Sequence, residues 1–167
     1  MLEYQKQNCT LTLQEGLNCY YEAFPEATEI FEDDEYSGTL LRDHDCTHII
    51  FGLDISIEQE SILDTWVLWG SKFEWKYLMG YQKLPQIKKL SKDLYKEFGI
   101  LGFLKIYWKL GRIKRKTMFK ALKMKKKWPF KMPDEYLTMK ISDLRRIHGI
   151  NILQPEEMKY VPLERLN

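Results

Sequence analysis

Two histidines four positions apart, His44 and His48, are the residues of this sequence with the clearest capacity for chemistry. On an α-helix, side chains at positions i and i+4 leave the same face, with Cβ atoms about 6 Å apart. Two imidazoles at this spacing can bind one metal ion, as they do in helical H-E-x-x-H sites. The alternative is an ordinary pair on a half-exposed helix, because the spacing also occurs without metal.

A carboxylate is positioned to complete this pair. His48 lies four residues before a turn at residues 52–56, and Glu60 lies four residues after it. If the flanking helices form an antiparallel hairpin with axes about 8–10 Å apart, both side chains reach one ion. By the same symmetry Asp64, one turn further along, lies near the height of His44. Asp64 is therefore predicted to accept a hydrogen bond from a ligating imidazole.

Asp45 is a further candidate ligand. It follows His44 directly, about 100° round the helix, so it reaches the ion only if the helix is distorted or the ion sits to that side. Two imidazoles and one carboxylate with open positions suit Fe(II) and O₂ chemistry, or Zn²⁺ with a bound water. The residues predict one divalent ion and leave its identity open among zinc, iron and magnesium. If Asp45 also binds, the site is more closed and more typical of a structural ion.

Helical periodicity dominates the chain, and we find no convincing β-hairpin signal or internal repeat. We therefore predict an all-α fold, a single-domain helical bundle over residues 1–167 that contains the metal-binding helical hairpin. Capping boxes at Thr12–Glu15 and Ser56–Gln59, prolines and glycines define the boundaries. The expected helices are 13–24, 39–52, 57–79, 85–99, 103–126 and a short one between Ser142 and Gly149, with a polar loop at 33–38 and an extended tail at 151–167.

The charge of the chain is strongly segregated. The net charge is only +2, but residues 1–82 hold 4 Lys/Arg against 16 Asp/Glu, and residues 83–132 hold 17 against 2. Every charged residue from Lys105 to Lys127 is basic, within a helical pattern that also carries large apolar residues. Such a helix can lie on an anionic membrane surface. The predicted membrane-binding residues are Lys105, Lys109, Arg112, Lys114, Arg115 and Lys116.

Two other interpretations of the basic segment are open. The lysines can neutralise the acidic first half of the same domain, or they can bind nucleic acid with interleaved aromatic side chains. The helical spacing of Tyr107, Trp108 and Phe119 fits an apolar face better, and no RNA-binding motif is present, so we expect no nucleic-acid partner.

The apolar segments and the cysteines exclude several classes of protein. The aromatic-rich segment after Ser56 and the stretch 98–110 provide either a groove for a prenyl chain or ordinary core. Stretch 98–110 is too short to span a bilayer. The N-terminus lacks the pattern of a signal peptide, and the three cysteines have no paired spacing, so we expect reduced thiols.

The motif residues resemble a known family. His44-Asp45-x-x-His48 followed by eleven residues and Glu60 matches the H-D-x-x-H-x(11)-E motif of the Coq-four family of coenzyme Q (ubiquinone) biosynthesis. Further similarities are Arg42-Asp43, Gly52, the segment Leu17-x-x-Tyr20-Tyr21-x-x-x-Pro25 and the segment Leu144-Arg145-Arg146-x-x-Gly149-Ile150. The chain departs from the family pattern at Gln59, where a glycine is expected.

The resemblance implies an all-helical, metal-binding, peripheral membrane protein of prenylquinone biosynthesis. It implies either a decarboxylase or hydroxylase acting on the carboxylate-bearing ring carbon of a prenylated aromatic precursor, or a non-catalytic prenyl-lipid-binding scaffold of a quinone-biosynthesis complex. The implied partners are a prenylquinone precursor or prenyl lipid, the cytoplasmic side of a membrane (the inner membrane in mitochondria), other quinone-biosynthesis proteins and a second copy of the chain.

A metal-dependent hydrolase remains an alternative function. A phosphohydrolase of this kind also uses a His-Asp pair, but it needs a second, distant set of histidine and aspartate. His148 is the only other histidine. Because it lies near a helix C-terminus, we predict that it is a surface residue stabilised by the helix dipole.

Overall fold

The computed structural model describes residues 1–27, 35–72, 79 and 85–160. Within these residues the chain is mostly helical, which confirms the prediction of an all-α fold. The helices are α1 (Leu13–Ala23), α2 (Glu35–Phe51), α3 (Ile57–Gly70), α4 (Pro85–Leu122) and α5 (Ile141–His148). Short 3₁₀ turns cover Glu3–Gln5, Pro25–Ala27 and Asp134–Thr138, and two-residue strands β1 (Ser71–Lys72) and β2 (Trp128–Pro129) pair in parallel.

Helix α1 begins with the predicted capping box. The hydroxyl of Thr12 accepts a hydrogen bond from the Glu15 amide at 3.2 Å, and the Glu15 carboxylate accepts one from the Thr12 amide at 2.7 Å. The helix ends before Pro25, as predicted. A Cβ at Gly16 would lie 3.0 Å from the Ile49 side chain, so α1 packs closely against α2.

Helix α2 begins earlier than predicted and ends where predicted. The expected loop at 33–38 is wrong for residues 35–38, which are helical, and Thr39 lies inside the helix instead of capping it. Residues 33 and 34 lie outside the described residues. After Phe51 the chain reverses at Gly52, whose φ of 73° is the left-handed conformation expected of a glycine at a helix C-terminus.

The predicted capping box at Ser56 does not form. The hydroxyl of Ser56 donates to the Asp54 carboxylate at 2.6 Å, and the Gln59 side chain accepts from the Asp54 amide at 2.9 Å. Asp54 therefore closes the turn through a network of side-chain and backbone hydrogen bonds. Helix α3 ends at Gly70 instead of continuing to residue 79, because Ser71 pairs with Trp128 of β2. Residues 73–78 and 80–84 lie outside the described part.

Helix α4 begins at Pro85 and bends at Gly99, where φ is 58° and ψ is 179°, so the predicted break at this glycine is confirmed. Beyond it the helix continues to Leu122 through Gly111. Helix α5 begins at Ile141, one residue before the predicted cap Ser142, and ends at Gly149 with φ of 68°.

Arg145 fixes the end of α2 that carries the histidines. Its buried guanidinium donates to the carbonyls of Ile49 and Ile50 at 2.9 Å, and also to carbonyls of Tyr4 and Lys6 in the N-terminal segment. Burial lowers the pKa of Arg145 to about 10. The last carbonyls of a helix carry partial negative charge, which stabilises a cation at this position. The C-terminus of α2 is therefore held against α5 and the N-terminal segment.

The prediction of a surface position for His148 is wrong. Its ring is fully buried, with Nδ1 3.2 Å from the Lys126 carbonyl and Nε2 3.2 Å from the Tyr136 hydroxyl. Burial lowers its pKa, so the neutral ring is favoured. His148 serves packing and hydrogen bonding between α5 and the segment after α4.

Candidate metal centre

The hairpin of α2 and α3 brings together three of the four residues predicted as metal ligands. One ligand atom each from His44, His48 and Glu60 lies within 4.8 Å of the others. The two imidazole centroids are 4.9 Å apart, with the ring planes at 72°. The short left-handed turn at Gly52 positions α3 so that Glu60 faces the i, i+4 histidine pair of α2. The arrangement confirms that these residues are able to hold one metal ion.

His48 provides the observation that fits an ion best. Its side chain is 0% exposed, and its Nε2 lies 3.0 Å from Glu60 Oε1. Among the described residues, however, neither ring nitrogen has a partner with hydrogen-bond geometry. Buried side-chain polar atoms in folded proteins are almost always hydrogen-bonded. A buried ring nitrogen that lies 3.0 Å from a carboxylate oxygen, outside hydrogen-bond geometry, is suited to coordinate a cation.

The acidic side chains of the site stabilise the charged form of His44, and the two imidazoles stabilise the charged form of Glu60. Burial alone disfavours the charged form of His44, but its interaction with Asp45 and the charges of Glu60 and Asp64 outweigh this and raise its pKa. Burial alone raises the pKa of Glu60, but the two imidazoles outweigh it and lower the pKa. Without metal, the site therefore favours a protonated histidine beside an ionised glutamate. A divalent cation held by these side chains would take the place of that proton.

Asp45 lies outside the group of three. Its carboxylate is buried, its Oδ2 accepts a hydrogen bond from the Tyr21 hydroxyl at 3.0 Å, and its Oδ1 lies 3.6 Å from His44 Nδ1. The structure thus places Asp45 beside a predicted ligand and in contact with α1. Sequence reasoning noted Tyr20 and Tyr21 only as part of a family resemblance. Tyr20 packs its ring 5.6 Å from that of His48, and no local spacing signal identifies either tyrosine as part of the site.

Asp64 lies one turn beyond Glu60 on α3, and its charge contributes to the raised pKa of His44. The hydrogen bond that Asp64 is expected to accept from a ligating imidazole stays a prediction. Removal of water by the surrounding protein and the charge of Glu60 raise the pKa of Asp64 itself. Asp64 also forms part of the wall of a cleft of about 440 Å³ between α3 and α4. Lys114 and Arg115 also line the cleft. Its large apolar lining residues are Leu68, Trp69, Tyr107 and Met118.

The six basic residues predicted to bind a membrane fall into two groups. Lys114 donates to the Ser61 hydroxyl at 3.0 Å, and burial lowers its pKa. Lys116 lies 3.7 Å from the Glu157 carboxylate. These two are engaged within the fold, whereas the other four are exposed: Lys105, Lys109, Arg112 and Arg115.

Helix α4 carries a second apolar face opposite the one that it buries. Ile106, Leu110 and Ile113 are in the core. Leu101, Leu104 and Trp108 recur at three and four residues and are 74%, 53% and 85% exposed in the part of the chain that the structure describes. We call these three residues the α4 stripe. Basic residues border it, because Lys105 and Lys109 each follow a stripe residue and Arg112 lies one turn after Trp108.

None of the described helices combines the length and the apolar character that crossing a bilayer requires.

Comparisons with protein-family models, with curated proteins and with solved structures find no match for this chain.

Proposed function

We propose that this protein is a metal-binding, peripheral-membrane protein of ubiquinone or related prenylquinone biosynthesis, as its resemblance to the Coq-four family suggests. The observation that carries the proposal is the metal group itself. His44, His48 and Glu60 meet at the spacing of that family's motif, and the buried His48 lacks a hydrogen-bond partner among the described residues. The proposed cofactor is one divalent ion held by these three side chains.

The donor set suits catalysis as well as binding. When bound by two imidazoles and one carboxylate, a zinc or iron ion keeps open positions and can polarise a substrate oxygen or, as Fe(II), support O₂ chemistry. The cleft beside Asp64 offers apolar side chains for a prenyl chain. Arg115, an exposed residue of the cleft lining, provides positive charge for a substrate carboxylate. These features support a prenylated aromatic carboxylic acid as the substrate.

The α4 stripe supports membrane docking. A helix with exposed apolar residues bordered by lysine and arginine is suited to the interface of an anionic bilayer, with its apolar residues in the acyl boundary. Each basic residue near such a surface contributes about 1 kcal/mol. Tyr107 and Arg115 belong to the cleft and also lie on the exposed part of α4. A prenyl substrate can therefore pass from the bilayer to the cleft without entering bulk water.

An assay with Fe(II)-loaded protein tests the proposed function. The protein is mixed with a prenylated aromatic carboxylic acid in detergent micelles, O₂ and ascorbate. In the expected reaction O₂ supplies the oxygen of the new ring hydroxyl, the carboxylate leaves as CO₂, and two electrons from ascorbate reduce the second oxygen atom to water. We expect binding of the acid and release of CO₂, with Glu60→Gln inactive and the exposed Glu22→Gln unchanged.

The same assay distinguishes enzyme from scaffold. Tight binding of the prenylated acid without CO₂ release supports the non-catalytic scaffold, in which the ion and the cleft only hold and present the lipid. Failure of the metal-loaded protein to bind the acid contradicts both forms of the proposal.

A further inference from the structure

Asp45 contacts two residues through its two carboxylate oxygens. Oδ2 accepts the hydrogen bond of the Tyr21 hydroxyl at 3.0 Å, and Oδ1 lies 3.6 Å from His44 Nδ1. Asp45 is 6% exposed, so these contacts are made away from bulk water. The contacts of Asp45 with Tyr21 and with His44 therefore connect α1 to one of the proposed metal ligands on α2.

We propose that Asp45 and Tyr21 are positioning residues of the metal centre, with Asp45 acting on His44 and Tyr21 acting on Asp45. This inference rests on the proposed metal-binding function. A histidine that binds a metal through one ring nitrogen usually donates the N–H of the other to a carboxylate or carbonyl. The carboxylate of Asp45 beside Nδ1 favours the proton on that nitrogen, which leaves the lone pair of Nε2 for the ion.

The position of Asp45 on the helix explains why it supports a ligand and does not act as one. It lies about 100° round the helix from His44, toward α1. Close packing of α1 on α2, seen at Gly16 and Ile49, brings the Tyr21 hydroxyl to its carboxylate. A phenol is a hydrogen-bond donor at neutral pH, and it holds Oδ2 on the side of α1. His44, His48 and Glu60 are left as the ligand set.

Two substitutions that preserve shape test this arrangement. Tyr21→Phe removes the hydroxyl alone, and Asp45→Asn removes the negative charge. We expect each to bind one Zn²⁺ per chain with a dissociation constant about 10- to 100-fold higher than wild type, measured by competition with a chromophoric chelator. Tyr95→Phe, on an exposed part of α4, is the matched control and should bind as wild type does.

Two further readouts separate positioning from a merely structural role. The visible spectrum of the Co²⁺-substituted protein should keep its shape in Tyr21→Phe and Asp45→Asn, because the ligands are unchanged. The double variant should bind Zn²⁺ about as weakly as Asp45→Asn alone, because Tyr21 acts through Asp45. Thermal melting of the metal-free variants checks that each one folds.

The possible results are distinct. Loss of the ion in Asp45→Asn, or a Co²⁺ spectrum of altered coordination, would make Asp45 a ligand and overturn the inference. Wild-type affinity in Tyr21→Phe, or additive effects in the double variant, would overturn the role of Tyr21. If wild-type protein binds no metal ion, the proposed function fails together with the inference; if it binds an ion through His48 and Glu60 while Tyr21 and Asp45 have no effect, only the inference fails.

Discussion

At the scale of single residues, His48 and His148 show how differently a buried histidine can be used. His148 has a partner for each ring nitrogen, and burial lowers its pKa. His48 is equally buried, but among the described residues neither of its nitrogens has a hydrogen-bond partner. A buried polar atom without a partner costs about 1–3 kcal/mol. The fold keeps this unfavourable group at the position where an ion would satisfy it.

The two histidines should therefore respond differently to replacement by leucine. We expect His48→Leu to change the free energy of unfolding of the metal-free protein little, because removal of the poorly satisfied ring offsets the loss of its contact with Glu60. His148→Leu should lower it by about 1–3 kcal/mol, because Tyr136 and the Lys126 carbonyl lose their partner. Urea denaturation of the two metal-free variants and wild type provides the comparison. Equal destabilisation by both replacements would show that His48 is an ordinary core residue.

The titration of His44 and Glu60 predicts how stability depends on pH. The pKa of His44 is raised from 6.5, so its contribution to metal-free stability is complete below that value and is lost as the pH rises through the folded-state pKa. The pKa of Glu60 is lowered from 4.5, so its contribution is present above that value and is lost as the pH falls through the folded-state pKa. These two groups favour the metal-free protein between about pH 4.5 and 6.5.

Above about pH 5.5, Zn²⁺ should change stability with pH in the opposite direction to the titration of His44. Metal binding needs a neutral imidazole, so the rise in melting temperature caused by Zn²⁺ should increase from pH 5.5 to 8. Melting curves with Zn²⁺ and with a chelator over this range measure the difference. A zinc effect that is constant, or that falls with pH, would contradict the involvement of His44.

At the scale of elements, the turn between α2 and α3 sets the geometry of the site. Gly52 has a φ of 73°, and a Cβ there would lie 2.9 Å from the Ile152 side chain. A residue other than glycine in the left-handed conformation costs about 1–2 kcal/mol. The turn is held from outside by Arg145, whose Nη2 lies 3.6 Å from the same Cβ position. Changes at Gly52 should therefore affect both stability and the position of Glu60 relative to His48.

A pair of glycine substitutions tests the role of this turn. Gly52→Ala should lower the free energy of unfolding by about 1–2 kcal/mol and weaken Zn²⁺ binding. Gly111→Ala is the matched control: it lies within α4, and apart from the neighbouring backbone of the helix nothing lies within 4 Å of its Cβ position, so it should stabilise the protein by about 0.5–1 kcal/mol. Denaturation and zinc titration of both variants provide the data. A Gly52→Ala variant as stable as wild type would show that the turn is not strained.

The helices were predictable where the signal is local. The capping box at Thr12, the proline at 85 and the left-handed glycines at 52 and 149 each act through neighbouring backbone, and the structure follows them. The ends that depend on distant residues were not predictable. Helix α3 ends early because Ser71 pairs with Trp128 of β2. At the start of α3, the Ser56 hydroxyl donates a hydrogen bond to Asp54 and does not cap the helix.

The same division holds within the site. The spacing of His44, His48 and Glu60 about a short turn is enough to predict their meeting. Tyr21 and Asp45 lie 24 positions apart in the chain, on helices α1 and α2. No spacing pattern in the sequence predicts that these two residues form a hydrogen bond. Lys114 was predicted to face a membrane, but it bonds to Ser61, because helix α4 packs on α3 at that level.

At the scale of the whole molecule, the basic segment divides into two parts with different surroundings. Part of it neutralises acidic residues of the same domain, as Lys116 and Lys120 do for Glu157. The part that borders the α4 stripe has exposed cations beside exposed apolar side chains. The structure thus narrows the proposed membrane contact to the first half of the basic helix.

Vesicle flotation with two sets of charge reversals tests this assignment. Reversal of Lys105, Lys109 and Arg112 to glutamate should greatly reduce binding to anionic vesicles at low salt. Reversal of the exposed Lys140, Arg146 and Lys159 changes the net charge equally and should reduce it much less. Wild-type binding should be weak to neutral vesicles and should fall with added salt. Equal effects of the two sets would show that net charge, and not the α4 stripe, controls binding.

The most direct test of the account is the metal content of the purified protein after equilibration with Zn²⁺ and removal of unbound ion. We expect one ion per chain for wild type and for the exposed Glu22→Gln. We expect loss of the ion, or at least 10-fold weaker binding, for His48→Ala and Glu60→Gln. A wild-type protein without bound ion, or an unchanged stoichiometry and affinity in both variants, would contradict the metal centre formed by His44, His48 and Glu60.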